Sequence, residues 1–375
     1  MGEDDCGARE LKRALTDHNG GSVLKGALTD YDDIICEILA RLPVKSLMRF
    51  RCVCKSWRAL IAGSYFVKKH FLYQERGISH NTSRLLFSID PPQSIDYEAL
   101  KDLEEDGDGQ FANRELDFPV RIPDYSTARK RIVGSCNGLV CVEIEGTGIL
   151  LWNPCTRDFK VLPNPPTKFH SFDLYGFGYD STTDDFKVIK GRHKVSLIRV
   201  FTLKNGSWMT LCNHNAAMCI GQGSLVNGAL HWFVPGQPSK ILCFDLAEEA
   251  FEEIGPLPDR GYLSRTLILI HRNCLCLYRT LLGLPDVLIW MMKEYGVNES
   301  WTQVIQLSLE ACPEAYLRLL CILENGEILI HSGGSVLLLN DQKTLKKVFE
   351  ADLRYGAAIY KETLVSPVTG SIADI

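Results

Sequence analysis

Residues 29–70 read TDYDDIICEILARLPVKSLMRFRCVCKSWRALIAGSYFVKKH, and their periodicity divides them into three short helical patterns. Asp30 stands as N-cap of the first, with Asp32 and Asp33 in its first turn, where acids complement the helix dipole. Ile34, Ile35, Ile38, Leu39 and Leu42 then recur on one broad apolar face. Pro43 stops that helix and opens the next at a position where no N–H is missed. The second pattern carries Val44, Leu47 and Met48. The third carries Val53, Trp57, Leu60 and Ile61 and stops at Gly63. A module of about 40 residues is near the size where one core alone is marginal. This one has apolar residues on more sides than three short helices can bury among themselves. The surplus must cover another part of the chain or another protein.

The run RLPVKSLMRFRCVCKSWRALI, 41–61, resembles the F-box, the adaptor-binding module of Skp–cullin–F-box ubiquitin ligases, in the form common in plants. The resemblance implies that Ile34, Ile38, Leu42, Pro43, Leu47, Val53, Cys54 and Trp57 contact a Skp-type adaptor, and through it a cullin. One departure is visible: the family opens its first helix with Leu-Pro, where this chain has Asp30-Tyr31.

The 375 residues suffice for one large domain or two unequal ones. With 46% hydrophobic and 23% charged residues and a net charge of −5, the whole chain has no pull toward nucleic acid or an anionic membrane. No apolar run reaches spanning length; the stretch from Leu263 to Met292 is broken by Arg265, His271, Arg272, Arg279 and Asp286. Fourteen cysteines would suit an oxidised framework, but the opening MGEDDCGARELKRALTD lacks an apolar signal core. The expectation is reduced thiols in the cytoplasm or nucleus.

Residues 1–27 read as a charged, aperiodic tail. The helical module is expected over 28–70, a β domain over 71–365 and a short tail over 366–375. After a strand candidate at 84–89 comes an acidic stretch, KDLEEDGDGQ, whose Glu104, Asp106, Asp108 and Glu115 imitate a calcium loop. Pro119 leaves no room for the second helix that loop needs.

From Ile132 on, short apolar runs alternate with turn signals. One unit recurs: a strand ending in a polar residue, a turn, then an aromatic opening the next strand. It begins at Trp152 (WNPCTRDF), Phe201 (FTLKNGSW), Phe244 (FDLAEEAF), Met292 (MKEYGVNESW) and Leu339 (LNDQKTLKKVF), spaced by about 43–49 residues. Hairpin turns precede several of these, at Asn137-Gly138, Asn227-Gly228, Arg272-Asn273 and Asn325-Gly326. Five units and the strand after the helical module predict an all-β propeller of about six blades.

GSCNGLVCV at 134, YGFGYDSTTDDFKVI at 175, NGALHWF at 227 and LVSP at 364, with the units at 152 and 292, resemble the F-box-associated domain of plant F-box proteins. The family is taken to be a propeller that holds a target protein for ubiquitination. In such a ring the segment from Ala357 to Leu364 would pair with N-terminal strand material and close the circle.

Motifs of catalysis are absent or misplaced. Gly134–Gly138 has nucleophile-elbow spacing around Cys136, but a strand follows where a helix is required. Cys52/Cys54 and Cys274/Cys276 have C-x-C spacing without histidine partners, so no metal site is expected. Neither a P-loop nor a dinucleotide fingerprint occurs, and no cofactor is expected. Lys45, Arg49, Arg51, Lys55 and Arg58 form a basic face suited to solvent or to an acidic adaptor. The expected role is a non-catalytic substrate receptor. The competing class is a propeller enzyme or lectin-like binder with a helical cap, and a third is an F-box scaffold without degradative role. Candidate target-binding loops are 167–172, 192–194, 235–238 and 259–262.

Overall fold

A computed structural model describes residues 33–77, 83–87, 92–96, 114–120, 130–165, 174–191, 197–212, 221–257, 264–281, 286–308, 318–323, 325–332, 334–340, 344–350 and 357–369. The chain divides into two compact units, one up to Asn81 and one from Thr82.

In the first unit, helix α1 spans 33–39, α2 Val44–Phe50, α3 Lys55–Ala62 and α4 Ser64–Glu75. Four helices stand where three were expected. The reason lies at Gly63, read from sequence as a stop. Its extended backbone (φ −71°, ψ 140°) ends α3 and at once serves as N-cap of α4. Pro43 caps α2 with an equally extended backbone. Cys36, Leu39, Ala40, Val44, Leu47, Ile61 and Phe66 form the buried interior. Lys69 on α4 pairs with Glu37 on α1, and the Tyr73 hydroxyl donates to the same carboxylate at 2.6 Å. Hydrogen bonds from Lys69 and Tyr73 hold the Glu37 carboxyl below its usual range. The buried His70 ring is fastened to the Leu42 carbonyl at 2.9 Å, and burial lowers its pKa. The C-terminal helix thus pins the first helix and the turn that follows it.

The second unit is six sheets. Sheet one holds β1 (Ser83–Phe87), β2 (Gln93–Asp96) and β3 (Arg114–Glu115). Sheet two holds β4 (Lys130–Cys136), β5 (Leu139–Ile144), β6 (Gly148–Trp152) and β7 (Phe159–Val161). Sheet three holds β8 (Leu174–Asp180), β9 (Asp185–Gly191), β10 (Leu197–Thr202) and β11 (Ser207–Cys212), with β12 (Gly221–Gln222) added in parallel beside β8. Sheet four runs β13 (Ser224–Val226), β14 (Ala229–Val234), β15 (Lys240–Asp245) and β16 (Phe251–Ile254). Sheet five runs β17 (Ser264–His271), β18 (Cys274–Leu281), β19 (Asp286–Met292) and β20 (Trp301–Ser308). Sheet six runs β21 (Arg318–Ile322), β22 (Ile328–Ser332), β23 (Ser335–Leu339) and β24 (Leu345–Glu350). The last strand, β25 (Ala357–Lys361), returns to sheet one and pairs antiparallel with β1, from Ser83↔Lys361 to Phe87↔Ala357. Strands β25, β4, β8, β13, β17 and β21 neighbour one another in that order, as the inner strands of a ring do. The result is a six-bladed propeller closed by its C-terminal strand.

Each repeated unit in the sequence falls at the same place, the turn between the third and fourth strand of a blade. The hairpin signals likewise fall between first and second strands. Both central residues have positive φ at Asn137-Gly138, Asn227-Gly228 and Arg272-Asn273, the backbone of a two-residue type I′ turn. Asn325-Gly326 differs. There the loop between β21 and β22 is longer, and only Gly326 of that pair is left-handed (φ 93°). Gly134–Gly138 is a hairpin, so Cys136 sits on a strand and not on an elbow. Glu115 lies in β3; the rest of the calcium-like stretch lies outside the described residues.

The hydrophobic clusters lie between blades. Leu86 and Tyr360 of blade one pack with Val140, Val142 and Trp152 of blade two. Ile189 and Val200 of blade three pack with Leu230, Trp232 and Leu242 of blade four. Phe87 meets Leu329 and Val336 of blade six, so the core passes across the closure. Strand β8 can approach its neighbour because it carries Gly176 and Gly178. A Cβ there would meet Leu230 at 2.8 Å and Leu246 at 2.6 Å.

Polar residues fasten the same joints. Lys187 is buried between blades three and four, with its Nζ 3.1 Å from Asp180 and 2.8 Å from Glu249, and it donates to the Leu246 carbonyl at 2.5 Å. His231 is fully buried. Its Nδ1 lies 3.1 Å from the Ser224 carbonyl and so carries the proton, leaving Nε2 to accept from the Tyr295 hydroxyl at 2.8 Å. Burial drives its pKa down to about 4.

Candidate functional site

The helical unit leaves large apolar side chains in solvent. Ile34 and Ile38, one turn apart on α1, are 56% and 57% exposed, and Val53 in the turn before α3 is 61% exposed. Burying apolar side chains of this size stabilises a complex by about 1.5–3 kcal/mol each. Their exposure is therefore a standing driving force for docking.

Beside them, Cys54 is exposed, and Leu42, Pro43 and Trp57 are half-buried. The Trp57 indole packs edge-on against Phe50, ring centres 5.5 Å apart. Leu47 departs from the expected set. It shares the inward face of α2 with Val44, one turn away, and is completely buried. Its role is in the interior of the unit, and the outward apolar set lacks it. Cys54 also serves the fold, since its Sγ accepts the Trp57 N–H at 3.4 Å and caps α3. Pattern reading gave no signal for this, because cysteine is not among the favoured capping residues. Asp30 and Tyr31 lie outside the described residues.

On the propeller, 235–238 forms an exposed turn after β14. The other three expected target loops, 167–172, 192–194 and 259–262, fall wholly or largely outside the described residues. Among the described residues no group of three His, Cys, Asp or Glu side chains could hold a metal ion. No described helix is long and apolar enough to cross a membrane.

A helical unit with exposed apolar side chains is thus followed in the same chain by a six-bladed propeller. The chain belongs to the F-box proteins that carry an F-box associated beta propeller domain. Residues 32–69 match the F-box domain and residues 115–363 the F-box associated beta propeller domain. Among similar proteins of Arabidopsis thaliana, F-box protein At3g07870 is 31% identical over 97% of each chain. F-box/kelch-repeat protein At3g23880 is 29% identical over 72% of this chain and 77% of its own. F-box protein CPR1 is 26% identical over 92% of this chain and 90% of its own.

Proposed function

We propose that this chain is the non-catalytic substrate receptor of a Skp–cullin–F-box ubiquitin ligase acting in the cytoplasm or nucleus. The helical unit docks a Skp-type adaptor, which links it to a cullin. The propeller holds a target protein. The chain's contribution is proximity: it raises the effective concentration of target lysines beside a thioester carried by another subunit.

The observation that carries this reading is the exposed trio Ile34, Ile38 and Val53, on a unit whose sequence matches the F-box. Co-purification from tissue with the proteasome blocked should recover a Skp-type adaptor and a cullin. The co-purified target should live longer in cells lacking this chain. Absence of an adaptor would overturn the reading. An adaptor without any change in target lifetime would favour the scaffold.

A further inference from the structure

Met48, Arg51, Cys52, Cys54, Lys55 and Arg58 line an open cavity of about 480 Å³ on the helical unit. Its size is in the range of small-ligand sites. Three of its walls are cationic. The Arg51 guanidinium rests 3.6 Å from the Met48 thioether, and among the described residues no carboxylate pairs with Arg51, Lys55 or Arg58. Ten described cysteines are free thiols, and of these only Cys52 and Cys54 are exposed. The Cys54 sulfur already accepts the Trp57 N–H, whereas the Cys52 thiol has no hydrogen-bond partner among the described residues; only its backbone N–H is engaged, by the Arg49 carbonyl at 3.0 Å.

We propose that Cys52 is a thiol-modification site whose cationic pocket takes an anionic low-molecular-weight disulfide of the glutathione type. In the exchange, Cys52 loses its proton to solvent and its sulfur attacks one sulfur of the disulfide. The reagent's S–S bond breaks as the Cys52–glutathione S–S bond forms. The second sulfur leaves as a thiolate and takes a proton from water. The disulfide is the oxidant, and no other is needed. Arg51, Lys55 and Arg58 attract the reagent's carboxylates. A consequence rests on the docking reading given above: the adduct sets bulk and negative charge beside Val53 and blocks the adaptor until a thiol reductant removes it.

The test uses the full chain with oxidised glutathione and with cystamine, a cationic disulfide. Each rate is referred to that reagent's rate with the unfolded chain, and adducts are mapped by mass spectrometry. The expected result is an adduct at Cys52 formed at least about tenfold faster with oxidised glutathione, because a cationic pocket concentrates an anionic reagent. That preference should shrink toward parity at about 1 M salt, where charges are screened within about 3 Å. Cys52→Ser should abolish the adduct and Cys54→Ser should keep it. Equal rates for the two reagents, adducts spread over other cysteines, or an adduct surviving Cys52→Ser would overturn the site. A second arm captures a Skp-type adaptor with modified and unmodified chain, expecting loss on modification and recovery with reductant. If the unmodified chain captures none, the docking reading fails while the mapped site stands. If both capture it equally, the switch fails while docking stands.

Discussion

Asn153 and Val365 lie 212 residues apart in the chain and are joined by a 2.7 Å hydrogen bond from the Asn153 amide to the Val365 carbonyl. The same amide donates to the Thr363 carbonyl at 3.0 Å, while its Oδ1 accepts the N–H groups of Cys155 and Thr156. One fully buried side chain therefore shapes the turn after β6 and also holds the segment that closes the ring. Two further contacts act alongside it. The Thr363 hydroxyl donates to the Asn137 carbonyl at 3.0 Å, and Ser135 Oγ donates to Ile359 O at 2.5 Å. Gly138 permits the approach, since a Cβ there would meet Thr363 at 2.0 Å. The sequence motifs at 134, 152 and 364 are thus parts of one joint.

Asn153→Ala should cost about 2–4 kcal/mol of propeller stability, because buried partners left unpaired each cost about 1–3 kcal/mol. Asn153→Asp should be no better, since it sets a carboxylate against two carbonyls. Urea unfolding measures both; a loss below about 0.5 kcal/mol for Asn153→Ala would show that the closing segment is held by other means.

Lys187 is a cation with 4% of its side chain exposed, facing a wholly buried Asp180. Lys187→Met leaves that carboxylate uncompensated and should cost about 3–5 kcal/mol. Adding Asp180→Asn should restore part of the loss, with a coupling of at least about 1 kcal/mol in the double-mutant cycle. Burial raises the Asp180 pKa, but hydrogen bonds from Thr183, Lys187 and Thr182 outweigh it and hold the carboxyl below 3.8. Its contribution is full above that ordinary value and fades as pH falls below it. Strict additivity of the two substitutions would refute the clamp.

His231 sets a milder acid limit. Its pKa, ordinarily 6.5, is pushed down to about 4 by burial. The folded state binds its proton less readily than the unfolded chain, so the stability held above pH 6.5 declines as pH falls toward 4. The interval corresponds to about 3 kcal/mol at most. His231→Gln should flatten this part of the profile of unfolding free energy against pH. An unchanged slope in the variant would assign the acid sensitivity to other groups.

The blades were legible because their turns carry local signatures. An aromatic follows each outer turn at one period, a left-handed pair marks three of the inner hairpins, and the structure puts each signature at equivalent positions in its blades. The blade-to-blade contacts were not legible. Nothing near Lys187 in sequence names Glu249, and nothing near Asn153 names Val365, because a linear pattern encodes periodicity but not which distant strand lies opposite. The helical unit shows the same limit at finer grain. Leu47 and Ile38 are both apolar at helical spacing, and only packing assigns one to the interior and the other to the surface. The fourth helix was missed because glycine read as an ending also serves as a beginning.

That division between Leu47 and Ile38 yields the sharpest test of the docking surface. Leu47→Ala removes a completely buried side chain and should cost about 2–5 kcal/mol of helical-unit stability, weakening adaptor capture only through unfolding. Ile34, Ile38 and Val53 are more than half exposed, so changing them to Ser should move unfolding by about 0.5 kcal/mol or less. Each of those changes should nonetheless reduce affinity for a Skp-type adaptor about tenfold or more, and the triple variant about a thousandfold or more, at about 1.5–3 kcal/mol per buried side chain. The two readouts are paired on the same proteins: urea unfolding followed by helical circular dichroism, and adaptor affinity by titration. Stability intact with affinity lost places the adaptor on α1 and the turn before α3. If the triple variant binds as tightly as the parent, the exposed apolar residues serve something other than the adaptor. If it unfolds, the surface assigned to docking is part of the unit's own core.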